Sequence, residues 1–202
     1  MRHLSVSYSD QEILKAISEI FLRNGEWYDA DVTYSKGVFW DGLKPPKYCS
    51  DLIPQAPNVT QDDSTVLSTY TSGSLRSVVF DPPFLFRDRK AANNDKMCKR
   101  FSYFKTYDEL MEMYTKSMDS IRRVLIPKGF LVFKCQDMTD GRFYCTHNKV
   151  INYATSNGYT LKDIVLKVSK TKLQRDAKQQ NCVAKVHSYF LILQKDKEAA
   201  HE

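Results

Sequence analysis

The sequence predicts an α/β domain built on a doubly wound, mostly parallel sheet with an antiparallel last strand. Two observations predict this class. Short apolar segments typical of strands alternate along the chain with amphipathic segments typical of helices. The last two strand-like segments, 160–168 and 186–194, have no helix between them, which implies one antiparallel strand. At 202 residues the chain is most simply a single domain, 1–202, long enough to bury a substantial core.

A capping box marks the first helix. Ser9 suits the N-cap position, and Glu12 follows three residues later. Apolar residues then recur at helical spacing as far as Phe21, so we expect an amphipathic helix that packs one face on the core. Asn24-Gly25 is expected to end it.

Three strands are predicted next, over 28–33, 47–52 and 75–80. The third is an apolar run and the clearest of the three. The segment 85–105 carries no helical or strand pattern. A connection of that length in a compact domain is more often functional or disordered than a simple link.

The second half of the chain repeats the alternation. Thr106 and Glu109 form another capping box ahead of a second amphipathic helix. The segment 130–135 is continuously apolar, as is typical of a central parallel strand. A helix over 148–156 is expected to close at Gly158.

Composition argues against several classes of protein. No stretch approaches the roughly 18 apolar residues of a membrane span, and the first residues do not resemble a signal peptide. The five cysteines are odd in number and include no Cys-x-x-Cys pair, so no disulfide framework is indicated. Cys145 with His147, or Cys182 with His187, could share a metal, but we expect none. A reducing, cytoplasmic location fits best.

The net charge of +6 is concentrated in two segments. Residues 87–105 carry seven basic and two acidic side chains, and 167–185 carry six and one, so each segment is +5 and the remainder is −4. Two basic loops on a mildly acidic body indicate a phosphate-binding surface. The candidate nucleic-acid-binding residues are Arg87, Arg89, Lys90, Lys99, Arg100, Lys170, Lys172 and Arg175.

The most informative motif is Asp81-Pro82-Pro83-Phe84, directly after the third predicted strand. Proline fixes φ and removes the backbone donor, so the strand must end there and the chain must turn outward. The corner presents a carboxylate, a backbone carbonyl and an aromatic face. These groups can hold a planar amino group while its nitrogen reacts, although Asp-Pro-Pro alone is also a common turn.

This quartet resembles the Asp-Pro-Pro-Tyr/Phe signature of S-adenosylmethionine-dependent amino-methyltransferases, and the order of segments resembles the class I methyltransferase core. The resemblance covers nearly the whole chain. It implies a Rossmann-like, mostly parallel seven-stranded sheet with an antiparallel last strand. It also implies S-adenosyl-L-methionine as the cofactor and Asp81, Pro82, Pro83 and Phe84 as the catalytic residues.

The resemblance also suggests cofactor-binding residues, beginning with the loop after the first strand of the core. Segment 29–37 resembles the glycine-rich loop of the family but has a serine where the first glycine is expected. The residues implied to bind the cofactor are Asp31, Thr33, Tyr34, Ser35, Gly37, Asp51 and Asp63. In this assignment Asp51 binds the ribose hydroxyls and Asp63 the adenine amino group, with Asp62 as a rival.

The activity implied is methylation of an exocyclic amino nitrogen of a nucleic-acid base. Aspartate at the first corner position favours N6 of adenine, and DNA is preferred as the substrate. RNA, N4 of cytosine and N2 of guanine remain alternatives, as does an inactive nucleic-acid-binding module on the same fold, which Ser35 supports. A separate target-recognition domain does not fit within 202 residues, so loops would have to recognise the target.

Overall fold

The computed structural model describes residues 3–22, 25–86, 104–169 and 183–197. The helices are α1 (Asp10–Phe21), α2 (Tyr107–Val124) and α3 (Thr146–Ser156), with a short 3₁₀ turn at Val38–Trp40. The strands are β1 (Val6–Ser7), β2 (Ala30–Asp31), β3 (Tyr48–Asp51), β4 (Thr60–Gln61), β5 (Leu75–Phe80), β6 (Leu125–Cys135), β7 (Met138–Asp140), β8 (Arg142–Tyr144), β9 (Tyr159–Val168) and β10 (His187–Lys195).

The main sheet has the order β1-β9-β10-β6-β5-β2-β3-β4. Strand β10 runs antiparallel to both of its neighbours, while the other pairs in this sheet are parallel. The predicted sheet type and its reversed last strand are therefore confirmed. The sheet has eight strands among the described residues, one more than predicted, because the two-residue β1 pairs with the edge of β9.

Capping explains where the two longer helices begin. The side chains of Ser9 and Thr106 accept hydrogen bonds from the backbone N–H groups of Glu12 and Glu109, as the capping boxes predict. The predicted strand at 28–33 is shorter, however. The Asp31 carboxylate accepts a hydrogen bond from the N–H of Thr33, and this local bond turns the chain away from the ladder.

Helices cover both faces of the sheet. On β5, Val78 and Phe80 belong to a core cluster shared with α2 and α3, whereas Val79 belongs to a second cluster shared with α1. This alternation follows from the two-residue period of a strand. The strand order reverses between β2 and β5, so the carboxyl ends of these strands flank the crevice where open α/β sheets bind ligands. None of the described helices is long and apolar enough to cross a lipid bilayer.

Candidate active site

The Asp-Pro-Pro-Phe corner leaves the carboxyl end of β5 and is fixed from two sides. The backbone N–H of Asp81 donates to Thr33 Oγ1 at 2.8 Å, which ties the corner to the loop after β2. The Tyr114 hydroxyl, on the buried face of α2, donates to the Pro83 carbonyl at 2.9 Å. The corner is therefore held in place although it makes no strand pairs.

Two cavities flank this corner. One, of about 280 Å³, includes Asp81, Pro82 and Pro83 in its lining. The other, of about 240 Å³, includes the next residue, Phe84, together with Lys134. Consecutive residues of one turn, Pro83 and Phe84, thus line two different cavities.

The first cavity brings together most of the predicted cofactor residues. Thr33, Ser35, Asp51 and Asp63 line it along with the first three corner residues. Asp51 Oδ2 accepts from the N–H of Ser35 at 2.8 Å and its Oδ1 from the N–H of Ile53 at 2.9 Å. Each carboxylate oxygen has a second lone pair, so Asp51 can still accept hydrogen bonds from a ligand in this cavity.

The structure separates the two rival acids, Asp62 and Asp63. Asp63 lines the first cavity, and Asp62 does not. Both oxygens of the buried Asp62 accept backbone and hydroxyl hydrogen bonds from Ser68 and Thr69. Burial acts to raise the pKa of Asp62, but these hydrogen bonds outweigh it and lower the pKa. Asp62 therefore holds its own loop, and Asp63 is the acid that faces the cavity.

Asp31 also organises the loop rather than lining either cavity. It is 1% exposed, and its Oδ1 accepts from Thr33 while its Oδ2 accepts from Trp40 Nε1 at 2.7 Å. Burial raises the pKa of Asp31 to about 7; the hydrogen bonds from Trp40 and Thr33 oppose the rise, and the nearby charge of Asp81 adds to it.

Tyr34 and Gly37 belong to the same loop but line neither of the two cavities. Gly37 has φ of +75°, and a β carbon there would lie 2.6 Å from the Tyr34 hydroxyl oxygen, so any other residue would strain the backbone and displace the Tyr34 ring. Ser35 has φ of +51°, in the left-handed region where glycine is favoured. The serine therefore adopts the backbone turn of the expected glycine and also lines the cavity.

The Asp81 carboxylate lies in a network of charges that the sequence did not reveal. Its Oδ2 is 3.4 Å from Lys134 Nζ, and that ammonium is 3.0 Å from Asp10 Oδ1 at the start of α1. Its Oδ1 is buried and has no hydrogen-bond partner among the described residues. Burial raises the pKa of Asp81, Lys134 opposes the rise and Asp10 adds to it.

Other residues of the site were also missed. Phe104 and Met113 give the first cavity an apolar wall, and Gln136, Lys167, Lys185 and His187 line the second. One signal could have pointed to Lys134. A lysine at the end of an apolar central strand must meet a counter-charge, because burying it unpaired is costly.

A separate cluster joins Asp137, Cys145 and His147, whose potential ligand atoms lie within 4.8 Å of one another and could hold a divalent cation. The carboxylate is already occupied by its neighbours, however. His147 Nδ1 lies 2.8 and 2.9 Å from its two oxygens, and the Tyr189 hydroxyl donates to it at 3.2 Å. Hydrogen bonding alone thus accounts for this arrangement.

The predicted nucleic-acid-binding residues cannot be located. Arg87, Arg89, Lys90, Lys99, Arg100, Lys170, Lys172 and Arg175 all lie outside the described residues. Two lysines at the ends of the second basic segment, Lys167 and Lys185, are described, and both line the second cavity.

Comparison with known proteins identifies structures but no family. No protein-family model and no curated protein matches the chain. The [4+2]-cyclase SpnF is 12% identical with a TM-score of 0.57, and the match covers 93% of this chain and 82% of SpnF. TrmN from Thermus thermophilus is also 12% identical with a TM-score of 0.53, and the match covers 92% of this chain and 48% of TrmN.

A third structure is an unconfirmed DNA modification methylase, also from Thermus thermophilus, solved with S-adenosyl-L-methionine. It is 16% identical with a TM-score of 0.48, and the match covers 69% of this chain and 55% of the methylase, so the chain spans about half of its length. At such identities a likeness shows the fold and not the activity. The strand order, together with the likeness to SpnF and TrmN, shows that the chain has the class I, Rossmann-like methyltransferase fold.

Proposed function

We propose that this protein is an S-adenosylmethionine-dependent N-methyltransferase that modifies an exocyclic amino nitrogen of a nucleic-acid base, with N6 of adenine in DNA as the preferred target. One observation carries the proposal. A buried carboxylate oxygen without a partner among the described residues, Asp81 Oδ1, belongs to a hydrogen-bonded corner between two cavities. An unpaired buried acceptor costs about 1–3 kcal/mol, and a substrate amino group could supply the missing donor.

The first cavity suits the cofactor. Asp51 and Asp63 offer acceptors for ribose hydroxyls and for an adenine amino group, while Phe104 and Met113 offer apolar surface for a flat ring. Thr33 and Ser35 come from the loop that the resemblance assigns to the cofactor. When bound, S-adenosylmethionine would supply a methyl group that its sulfonium sulfur has already activated.

The second cavity suits the acceptor nucleotide. Phe84 offers an aromatic surface on which a base can stack, and Gln136 offers an amide without a partner among the described residues. Lys167 and Lys185 add positive charge that suits a phosphate. A base paired within a duplex cannot enter such a cavity, so the target nucleotide would have to be flipped out of the helix.

The corner residues would then supply the chemistry. An exocyclic amine is a poor nucleophile because its lone pair is delocalised into the ring. If the Asp81 carboxylate and the Pro82 carbonyl accept hydrogen bonds from its two N–H groups, the nitrogen becomes more pyramidal and its lone pair could attack the methyl carbon in line with the carbon–sulfur bond, which would break as the new bond forms. The methylated nitrogen would then give up one proton to the Asp81 carboxylate or to water. The carboxylate also stabilises the positive charge that develops on nitrogen.

Tritium transfer from labelled S-adenosylmethionine to duplex DNA, single-stranded DNA and RNA tests the proposal. Digestion to nucleosides then identifies the modified base. We expect N6-methyladenine from DNA, and little product from Asp81→Ala. The exposed Asp163, on β9, provides the matched control Asp163→Ala.

The outcomes separate the alternatives. Label in RNA but not in DNA would identify an RNA base methyltransferase. Cofactor binding with no transfer to any nucleic acid would contradict the proposed acceptor. A protein that binds nucleic acid but not the cofactor would be an inactive binding module.

A further inference from the structure

Asp81 is the first of four alternating charges that come from four different elements. Lys134 Nζ, on β6, lies 3.4 Å from Asp81 Oδ2 and 3.0 Å from Asp10 Oδ1. Asp10 Oδ2, on α1, is in turn 3.4 Å from Lys167 Nζ on β9. Lys167 and Lys134 both line the second cavity, so the series joins the corner carboxylate to the proposed acceptor site.

Packing alone does not explain a lysine at position 134. Its side chain is only 10% exposed, and its ammonium lies 4.6 Å from the centre of the Phe39 ring and 5.5 Å from that of Phe190. A methionine of similar length would fill this apolar space without the cost of burying a charge. The two carboxylates outweigh the effect of burial and raise the pKa of Lys134, so the ammonium stays charged.

We propose that Lys134 is a positioning residue for Asp81, and that Asp10 determines how much of the lysine's charge acts on it. The inference rests on the proposed function, in which Asp81 accepts the substrate amine. Lys134 donates to Oδ2, and Oδ1 is buried without a partner among the described residues, so it would accept the amine once the substrate enters the corner. Its positive charge also favours the ionised carboxylate, which is the form that accepts two hydrogen bonds and stabilises a cation.

The charged neighbours of Asp81 shift its pKa in opposite directions. Lys134 lowers its pKa, the like charge of Asp10 raises it, and Lys167 lowers it from a greater distance. Two further elements also bring titratable groups to this region, since β2 carries Asp31 and α2 carries Tyr114. The second cavity adds Lys185 and His187. The main prediction uses only Lys134, which contacts Asp81, and Asp10, which contacts Lys134.

The experiment measures the ionisation of Asp81 in two ways, by the acid-side midpoint of kcat and by carbon NMR of labelled aspartate carboxyls assigned with Asp81→Asn. We expect Lys134→Met to move both midpoints up by about one pH unit or more, since an opposite charge at this distance lowers a carboxyl pKa by about 1–3 units. Asp10→Asn should move both down. Lys134→Arg should stay near the wild type.

Controls distinguish positioning from a general structural effect. The exposed Lys162, on β9, provides Lys162→Met, which should shift neither midpoint. Lys134→Met should lower kcat at pH 7 and leave the dissociation constant of S-adenosylmethionine within about twofold. If Lys134→Met fails to fold, the downward shift in Asp10→Asn tests the network by itself.

The two readouts keep this inference separate from the proposed function. If the wild type methylates nothing but the NMR midpoints move in the expected directions, the charge network is supported and the proposed function fails. If Asp81 titrates identically in the wild type, Lys134→Met and Asp10→Asn, the positioning role is wrong whatever the activity.

Discussion

The two sides of the Asp-Pro-Pro-Phe corner are built in different ways. On the side of the first cavity, Asp31, Asp51 and Asp63 each accept a hydrogen bond from the backbone N–H two residues later. On the side of the second cavity, Asp81, Lys134, Asp10 and Lys167 come from distant parts of the chain and meet only in the folded protein. The three carboxylates of the first side are thus fixed by local hydrogen bonds, and the charges of the second side by long-range ion pairs.

This difference suggests that the two sides have different functions. Local bonds hold a loop in one shape with few residues, which suits a site that must hold one ligand in one shape. Long-range charges can be changed one at a time by single substitutions, and each change acts through space on its neighbours. The changes below test whether the first side controls cofactor affinity while the second controls the chemistry.

The largest expected effect is on the rate. Asp81→Ala should reduce methyl transfer by about 10²–10³-fold, by analogy with the loss of one transition-state hydrogen-bonding group. Affinity for S-adenosylmethionine should stay close to that of the wild type, because Asp81 would contact the amine and not the cofactor. Single-turnover transfer and calorimetry measure the two quantities, with Asp163→Ala as control. Near-normal turnover would remove Asp81 from the mechanism.

The first side should give the protein a stability that depends on pH. The pKa of Asp31 is raised from 3.8 to about 7, so the folded protein binds this proton more tightly than the unfolded chain. The resulting stabilisation is complete below about pH 4 and is lost as pH rises through 7. It amounts to up to about 4 kcal/mol, at 1.36 kcal/mol per pKa unit.

Urea unfolding between pH 4 and 8 measures this dependence. Asp31→Asn should be less stable overall, because its amide meets the Trp40 N–H, but its stability should vary less with pH. Equal slopes in the two proteins would show that Asp31 stays ionised when folded.

Cofactor affinity should depend on Asp51. Asp51→Ala removes an acceptor for hydroxyls in the first cavity and releases the backbone N–H of Ser35, so binding of S-adenosylmethionine should weaken by about 1.5–3 kcal/mol. Calorimetry measures this change, and Asp62→Ala is the informative comparison. It should lower the melting temperature because five hydrogen bonds to its carboxylate are lost, yet alter affinity less.

The same division separates what the sequence predicted from what it did not: local features were predicted, and long-range contacts were missed. The starts of α1 and α2 were predicted from Ser9 and Thr106 because a cap and its partner lie within one turn. Strand β5 and its proline corner were likewise predicted, because both depend on residues that are adjacent in the sequence. The partnership of Lys134 with Asp10 was missed, since it exists only once β6 and α1 pack together.

Two adjacent aspartates also show that sequence alone does not reveal contacts that form only on folding. Asp62 and Asp63 are equivalent in sequence, and only the hydrogen bonds from Ser68 and Thr69 turn one inward and leave the other facing the cavity. Strand β1 was not predicted because two residues carry no periodic pattern, so its pairing with β9 is decided by tertiary contact. The roles assigned to these residues stay predictions until they are tested.

The smallest expected effect concerns Ser35, whose φ of +51° lies where glycine is favoured. Ser35→Gly should relieve about 1 kcal/mol of backbone strain, but it also gives the unfolded chain more freedom, so the free energy of unfolding should change by less than about 1 kcal/mol. The N–H bond to Asp51 persists in the glycine variant, and affinity for S-adenosylmethionine should stay within about threefold. Ser35→Ala keeps the strain and removes only the hydroxyl, which makes it the matched control. A much larger loss of affinity in both variants would mean that the Ser35 hydroxyl itself binds the cofactor, and the first side would then depend on a side chain as well as on its loop.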